Sequence, residues 1–162
     1  MTEIIAFDPQ YAAQVGPFVL SVQHEFGVPI TLADQPDLAD IAQHYITPGG
    51  NFWLAIDEGK IVGTAALLPA DDSKLIMRKL FVAPAYRGAA ALGKQLLDTM
   101  LHWARRQQFT SIYLGTVAVF KGACRFYEKH GFTRLAESEL PGEIRARKMR
   151  VDDTFYYIEV AA

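Results

Sequence analysis

Residues 75–101 combine an apolar strand, a turn of small residues and a long helix, and this order constrains the fold more than any other feature of the sequence. The strand ends at Pro84, because proline has no backbone N–H for an interior ladder. Beyond Gly93, apolar residues recur at helical spacing and predict a helix with one apolar stripe. Unpaired N–H groups at a helix start attract anions, and Arg87 adds a planar set of donors suited to phosphate. The segment therefore predicts a site for a phosphorylated ligand.

The composition indicates one soluble domain spanning residues 1–162, a length that buries a substantial core. The formal net charge of -2 argues against a general nucleic-acid binder and gives no reason to expect a polycationic acceptor. The four histidines show no metal-ligand spacing, so we expect no metal. The first residues lack the features of a secretory signal, no apolar run can span a bilayer, and Cys124 is a lone cysteine. We therefore expect a cytoplasmic protein without a membrane contact.

The first third of the chain predicts a strand and two helices. Residues 2–7 read as a short strand, and Asp8 with Pro9 is typical of a helix start that continues to about Phe26. Asp37 is predicted to cap a second, short helix that ends before the sequence TPGG. Three apolar residues share one face of this helix: Leu38, Ile41 and Tyr45.

The rest of the chain predicts a three-stranded meander followed by a crossover. Strands 51–57 and 60–69 are joined by the tight turn Glu58-Gly59, and strand 75–82 follows. A helix connects strand 75–82 to strand 111–116, so these two strands should be parallel. Helix 119–130, strand 132–135, a polar irregular stretch 137–153 and strand 154–160 complete the chain. The predicted fold is α/β (α+β), with a mixed, mostly antiparallel sheet of about seven strands flanked by about four helices.

Two motifs give this order of elements a family resemblance. The segment LIMRKLFVAPAYRG with LGKQLLDTMLHWAR, and the segment IYLGT with ACRFYEKHGF, resemble the GNAT superfamily of acyl-CoA-dependent N-acetyltransferases. That family often reads A-x-x-F-Y-E-K-x-G-F in its fourth helix. The resemblance is close over residues 75–135 and extends to the remainder only in the order of elements.

The resemblance implies acetyl-CoA as cosubstrate, bound where the sheet splays between strands 75–82 and 111–116. Leu80, Phe81 and Val82 would contact the pantetheine arm through their backbone. The cradle for the pyrophosphate would be Arg87, Gly88, Ala89, Ala90, Ala91, Leu92, Gly93 and Lys94. The family pattern is commonly Arg/Gln-x-x-Gly-x-Gly/Ala, and here Ala90 and Leu92 take the small-residue places, or Gly93 takes the last one if the loop has an extra residue.

The resemblance also implies a catalytic role for Tyr127, which matches the tyrosine that gives a proton to the departing CoA thiolate. The alternative is a core tyrosine packed beside Phe126 with its hydroxyl satisfied. The general base stays open: Asp57, Glu58, Asp71 and Asp72 read as turn residues, Glu25 is another possibility, and a water relay fits equally well. Phe120 stands where the family frequently has asparagine.

Two functions remain open. The first is transfer of an acetyl group from acetyl-CoA to a primary amine, on a small-molecule or peptide acceptor, by direct attack in a ternary complex. The second is an acyl-CoA-binding or sensory module of the same fold with little turnover. Phe155, Tyr156 and Tyr157 are interpreted as sheet residues and as a possible homodimer surface or acceptor wall. The basic cluster at Arg145, Arg147, Lys148 and Arg150 is interpreted as a solvated face.

Overall fold

A seven-stranded sheet forms the centre of the computed structural model, which describes residues 2–88 and 91–160. The strands in chain order are β1 Glu3–Ala6, β2 Asn51–Asp57, β3 Lys60–Pro69, β4 Lys74–Val82, β5 Ser111–Thr116, β6 Thr133–Leu135 and β7 Thr154–Glu159. Their order across the sheet is β1-β2-β3-β4-β5-β7-β6. The pair β4–β5 is parallel and the other neighbours are antiparallel. The predicted mixed, mostly antiparallel sheet is confirmed.

The α-helices cover both faces of this sheet. They are α1 Ala12–Glu25, α2 Leu92–Arg106, α3 Lys121–Lys129 and the single turn α4 Gly142–Arg145. Val15 and Val19 of α1 pack on one face, while Leu96 and Met100 of α2 pack on the other. Burial on both faces explains why β2 and β3 read as continuous apolar runs rather than as alternating patterns. Among the described residues, no helix has the length and apolarity needed to cross a bilayer.

The short second helix predicted from Asp37 is wrong in detail. Residues Pro36–Ala39 form a 3₁₀ turn, and Ala42–Ile46 form a separate turn of π-helix. The Asp37 side chain is buried instead of capping a helix, and the Tyr45 hydroxyl donates to its carboxylate at 2.5 Å. A buried carboxylate needs such a donor, and this bond ties the two turns together. The Asp8 prediction does hold, because its side chain accepts from the Gln10 N–H at 3.0 Å at a helical start.

The strands β4 and β5 separate soon after they pair. Their register extends only from Lys74–Ser111 to Ile76–Tyr113. Beyond that point the two strands have no paired residues, so the sheet opens between the end of β4 and the end of β5. This gap lies next to the start of α2, where the sequence predicts the phosphate site.

A β-bulge lies in β4 beside the gap. Thr64 of β3 faces Phe81 and Ala66 faces Arg78, so β4 contains one residue more than its partner over this interval. Lys79 adopts a left-handed conformation with φ 59°, and the Thr64 hydroxyl donates to its carbonyl oxygen at 2.6 Å. Because of the bulge, Arg78 and Lys79 both point to the α1 side of the sheet, whereas Leu80 packs on the α2 side.

Candidate functional site

A cavity of about 890 Å³ lies in the gap between β4 and β5, with lining residues from α1, α2 and α3. Its lining includes these residues predicted to hold the cosubstrate: Leu80, Phe81, Val82, Arg87, Gly88, Ala91, Leu92, Gly93 and Lys94. Ala89 and Ala90 lie outside the described residues. The structure thus brings together two separate groups predicted from the sequence, the strand contacts and the phosphate cradle.

The start of α2 supplies backbone donors to this cavity. The N–H groups of Leu92, Gly93 and Lys94 belong to the first turn of α2, and N–H groups in a first turn have no partner within the helix itself. Ala91, the residue before the helix, is left-handed with φ 53°, and Gly88 has φ 75°. The loop therefore uses positive φ even though alanine stands where the family often has glycine, and each such L-residue costs roughly 1–2 kcal/mol of conformational free energy.

Arg87 is held at the mouth of the cavity. Its Nη1 and Nη2 donate to the two oxygens of Glu25 at 2.7 and 3.0 Å, and its Nε donates to the Val82 carbonyl at 3.0 Å. The guanidinium carbon also lies 5.5 Å from the centre of the Phe26 ring. The hydrogen bonds from Arg87 hold the pKa of the Glu25 carboxyl below its usual value, although burial opposes this. The arginine is therefore oriented before any anion arrives.

Tyr127 of α3 also lines this cavity. Its side chain packs against the rings of Phe132 and Tyr156 and is only 5% exposed. Its hydroxyl has no hydrogen-bond partner among the described residues. In that part of the chain every fully buried side-chain N or O atom has a partner, so this hydroxyl is not fully buried. The hydroxyl is therefore open to the cavity, unlike that of a satisfied core tyrosine. Burial, with contributions from Cys124 and Asp152, raises the pKa of the phenol well above its usual value, so it stays protonated.

A second, smaller cavity of about 80 Å³ lies on the α1 side of the sheet. The two cavities share lining residues on the facing ends of the splayed strands: Met77, Arg78, Lys79, Phe81, Leu114, Gly115 and Thr116. Phe120 also lines both, and its ring lies edge-on to Phe26 and Phe81 at 5.0 and 6.0 Å. The gap in the sheet thus joins a large chamber to a small one.

Asp152 in the small cavity is a candidate functional residue that the sequence did not indicate. A Cβ added to Gly115 would lie 2.5 Å from its Oδ2, so the carboxylate rests on the glycine in β5. Its Oδ2 accepts from the Met149 N–H at 3.0 Å. Burial raises the pKa of Asp152 to about 6, although that hydrogen bond and the charges of Arg78, Lys148 and Lys79 lower it. The one available signal was Gly115 itself, since glycine inside a strand often marks a close approach.

The acidic residues considered from the sequence are engaged elsewhere. Glu25 pairs with Arg87, the Asp57 carboxylate accepts from the Tyr86 hydroxyl, and Asp71 accepts from Lys74 at 2.9 Å. The lining residues of the two cavities include none of these three, nor Glu58 or Asp72. Asp152 is the carboxylate that lines the small cavity among the described residues.

The basic cluster is only partly a solvated face. Arg147 and Lys148 line the small cavity, whereas Arg145 donates to the carbonyls of Ser138 and Leu140 and Arg150 pairs with Asp34 at 3.1 Å. Arg145, Arg147 and Arg150 are exposed, as that interpretation expects, whereas Lys148 is half-buried because the stretch before β7 folds back over the gap between the strands.

Comparisons with known proteins match this geometry. Residues 20–132 match the model of the acetyltransferase (GNAT) family. A crystal structure of a GNAT-family acetyltransferase from Staphylococcus aureus MU50 superposes with a TM-score of 0.94 and 37% identity, covering 99% of this chain and 100% of that chain. An aminoglycoside 6'-N-acetyltransferase complexed with coenzyme A superposes with a TM-score of 0.69 over 99% of this chain and 98% of that chain. Its 18% identity shows the shared fold alone.

The curated relatives are longer than this chain. N-acetylaspartate synthetase of Danio rerio is 36% identical over 118 residues, which are 68% of this chain and 40% of the relative. The chain therefore spans less than half the length of this relative.

Proposed function

Since the chain belongs to the acetyltransferase (GNAT) family, we propose that it transfers an acetyl group from acetyl-CoA to a primary amine by direct attack in a ternary complex. The observation that carries this proposal is the pair of cavities joined through the gap between β4 and β5. Such a passage lets a cosubstrate and an acceptor approach one reacting carbon from opposite sides. The name of the Danio rerio relative implies aspartate as the acceptor of that protein; the proposal here is limited to an amine.

The large cavity fits acetyl-CoA in its chemistry. The Arg87 guanidinium, the Lys94 ammonium and the free N–H groups at the start of α2 form a cationic end suited to phosphates. The edge of β4 at Leu80–Val82 offers backbone groups that β5 does not pair, as a pantetheine amide needs. Leu92 and Phe126 supply apolar lining between these ends.

The proposed chemistry uses two side chains at the junction. The acceptor nitrogen attacks the thioester carbonyl, a C–N bond forms and the C–S bond breaks. Asp152 takes the proton that the attacking amine loses, directly or through a water molecule. The open Tyr127 hydroxyl donates its hydrogen to the departing thiolate sulfur. Burial keeps the phenol protonated and makes the carboxylate a stronger base than an exposed one.

The test is release of CoA thiol from acetyl-CoA in the presence of a panel of amines, with Tyr127→Phe as the variant. We expect the variant to lower kcat by about 10²-fold, within the range of general acid–base effects, with little change in CoA affinity. Tyr11→Phe is the matched control, since Tyr11 packs on the α1 side and lines neither cavity. CoA binding without acetylation of any amine would instead support the acyl-CoA-binding module.

A further inference from the structure

The small cavity lies where an acceptor must enter if the proposed function holds. It lies on the α1 side of the sheet and shares with the large cavity the lining residue Gly115, on which Asp152 rests. Its volume of about 80 Å³ admits only a few non-hydrogen atoms. The cavity therefore suits a compact amine rather than a bulky ring system.

The charges around this cavity are strongly unequal. Its lining includes the four cationic residues Arg78, Lys79, Arg147 and Lys148, and Asp152 as the carboxylate. The β4 bulge contributes to this excess, because it places the consecutive residues Arg78 and Lys79 on one face of the sheet. A regular strand would send one of them to each side.

Two of the four cations are already engaged by the protein. The Lys79 ammonium donates to Gln35 Oε1 at 2.5 Å and lies 3.7 Å from the Asp37 carboxylate. Arg147 Nη1 donates to the Pro69 carbonyl at 2.9 Å, and Arg147 is exposed, so an ion pair with it would be weak. These two residues hold the walls of the cavity.

The other two cations have donors to spare. Arg78 gives one N–H to the Arg147 carbonyl, and its guanidinium carries five donors in all. Lys148 is half-buried, and its ammonium has no hydrogen-bond partner among the described residues. Partly desolvated cations with unused donors are the usual partners of a carboxylate, and charge-assisted bonds of this kind are stronger than neutral ones.

We infer that the acceptor, under the proposed function, is a small amine that also carries a carboxylate, as an amino acid does, and that Arg78 and Lys148 bind this carboxylate. The lining has the matching signs: the Asp152 carboxylate beside Gly115 for the amine, and the Arg78 and Lys148 cations for the anion. Binding of the carboxylate orients the amine toward the gap, so these residues select the substrate and do not take part in proton transfer.

The experiment compares acids with their amides as acceptors. Glycine, L-alanine, L-aspartate and L-glutamate are each paired with the amide in which every carboxylate is replaced by a carboxamide, and kcat/KM is measured by release of CoA thiol. We expect at least one acid to be acetylated with a kcat/KM at least about tenfold above that of its amide, the size of a lost charge-assisted hydrogen bond. The ammonium groups of the amides are more acidic, so a larger fraction of each amide is the neutral, reactive amine. This difference favours the amides and therefore works against the expected result.

Variants then assign the difference to the cavity. Lys148→Gln should raise the KM of the preferred acid by about tenfold relative to that of its amide and leave the KM of acetyl-CoA unchanged, because the loss of its charge near Asp152 affects both acceptors alike. It should also weaken inhibition by succinate, which has carboxylates but no amine. Lys60→Gln is the matched control, because Lys60 is exposed at the start of β3 and lines neither cavity. Arg78→Gln should act in the same direction, with CoA affinity as the check that it folds.

The outcomes separate the two proposals. Equal use of acids and amides, or acetylation only of amines without an anionic group, overturns the carboxylate inference and leaves amine acetylation standing. A preference for acids that Lys148→Gln and Arg78→Gln do not change overturns the assignment to this cavity. Failure to acetylate any amine while CoA binds overturns the proposed function and the inference with it.

Discussion

The Asp152 carboxylate lies over Gly115 at a distance that leaves no room for a side chain, since an added Cβ would be 2.5 Å from Oδ2 and 2.9 Å from Cγ. Two residues far apart in sequence thereby fix one another at the end of β5. The relationship joins the loop before β7 to the junction of the two cavities, and it makes the position of the proposed base sensitive to a single methyl group.

Gly115→Ala should therefore displace Asp152 and lower kcat/KM. Misplacement of a reacting group by about 1 Å costs up to about 10²-fold in rate, so we expect a loss of about 10- to 100-fold. CoA affinity, measured by calorimetry, should change little, because Gly115 is not part of the phosphate end. Gly142→Ala is the control, since a Cβ at that position meets no atom within 4 Å. An unchanged rate would mean that Asp152 need not lie where it does.

Asp152→Asn should remove a pH dependence from catalysis. A base works in its deprotonated form, and the pKa of Asp152 is raised to about 6, mainly by burial. In the wild-type protein, titration of the Asp152 carboxyl should therefore make kcat/KM rise with pH around pH 6 and level off at higher pH. The variant should be slower by about 10²-fold or more, and this rise should be absent. Persistence of the same rise in the variant would assign it to another group.

The same substitution should stabilise the folded protein above pH 6. The folded-state pKa of about 6 exceeds the ordinary aspartate value of 3.8, so the unfolded chain loses this proton first and the free energy of unfolding falls as pH rises between these values. Removal of the charge should raise the free energy of unfolding by up to about 3 kcal/mol at pH 8, because each unit of pKa shift corresponds to about 1.36 kcal/mol. Below pH 4 the substitution should leave the free energy of unfolding unchanged. Urea unfolding at both pH values measures this, with the exposed turn variant Asp72→Asn as control.

Arg87→Ala should weaken CoA binding. The variant loses the charged donors at the phosphate end and leaves the Glu25 carboxylate there without its partner. We expect at least about a tenfold rise in the Kd of CoA, with a shallower dependence on salt concentration. Arg134→Ala, an exposed position on β6 that lines neither cavity, is the control for calorimetric titration. An unchanged Kd would show that the predicted phosphate end is in the wrong place.

Glu25→Gln should have the opposite effect. The carboxylate of Glu25 occupies two donors of Arg87 and would repel an arriving phosphate. Replacement by the neutral amide should tighten CoA binding by roughly threefold at low salt and less at high salt. Weaker binding would show instead that Glu25 serves mainly to orient Arg87. The double variant with Arg87→Ala measures how strongly the two residues are coupled.

The parts of the fold with strong local patterns were predictable from the sequence. β2, β3 and β5 have the predicted bounds, because apolar runs between clear turn signals admit few alternatives; Glu58 and Gly59 both adopt the positive φ that the tight turn requires. The phosphate end at Arg87 and the strand contacts at Leu80–Val82 converge on one cavity, as the resemblance implied, since both depend on the strand–turn–helix order.

The parts that failed depend on contacts across long sequence distances. Asp37 has the residue type and position of a cap, but its role is set by Tyr45 and Lys79, which meet it only in the folded protein. Asp152 lies in a stretch without periodicity, and the burial that makes it a candidate base arises only when that stretch packs on Gly115. Local propensity holds no information about either pairing.

The bulge at Lys79 has a consequence for how such a protein can diverge. Met77 and Leu80 lie on the α2 side of the sheet, and Arg78 and Phe81 lie on the α1 side. If Lys79 is left out of the count, the side chains of β4 therefore alternate regularly between the two faces. Loss of that one residue by deletion would remove a cation from the α1 face and leave every neighbouring side chain on its present face. Chain length at this position is thus a variable that can change one chamber without altering the other.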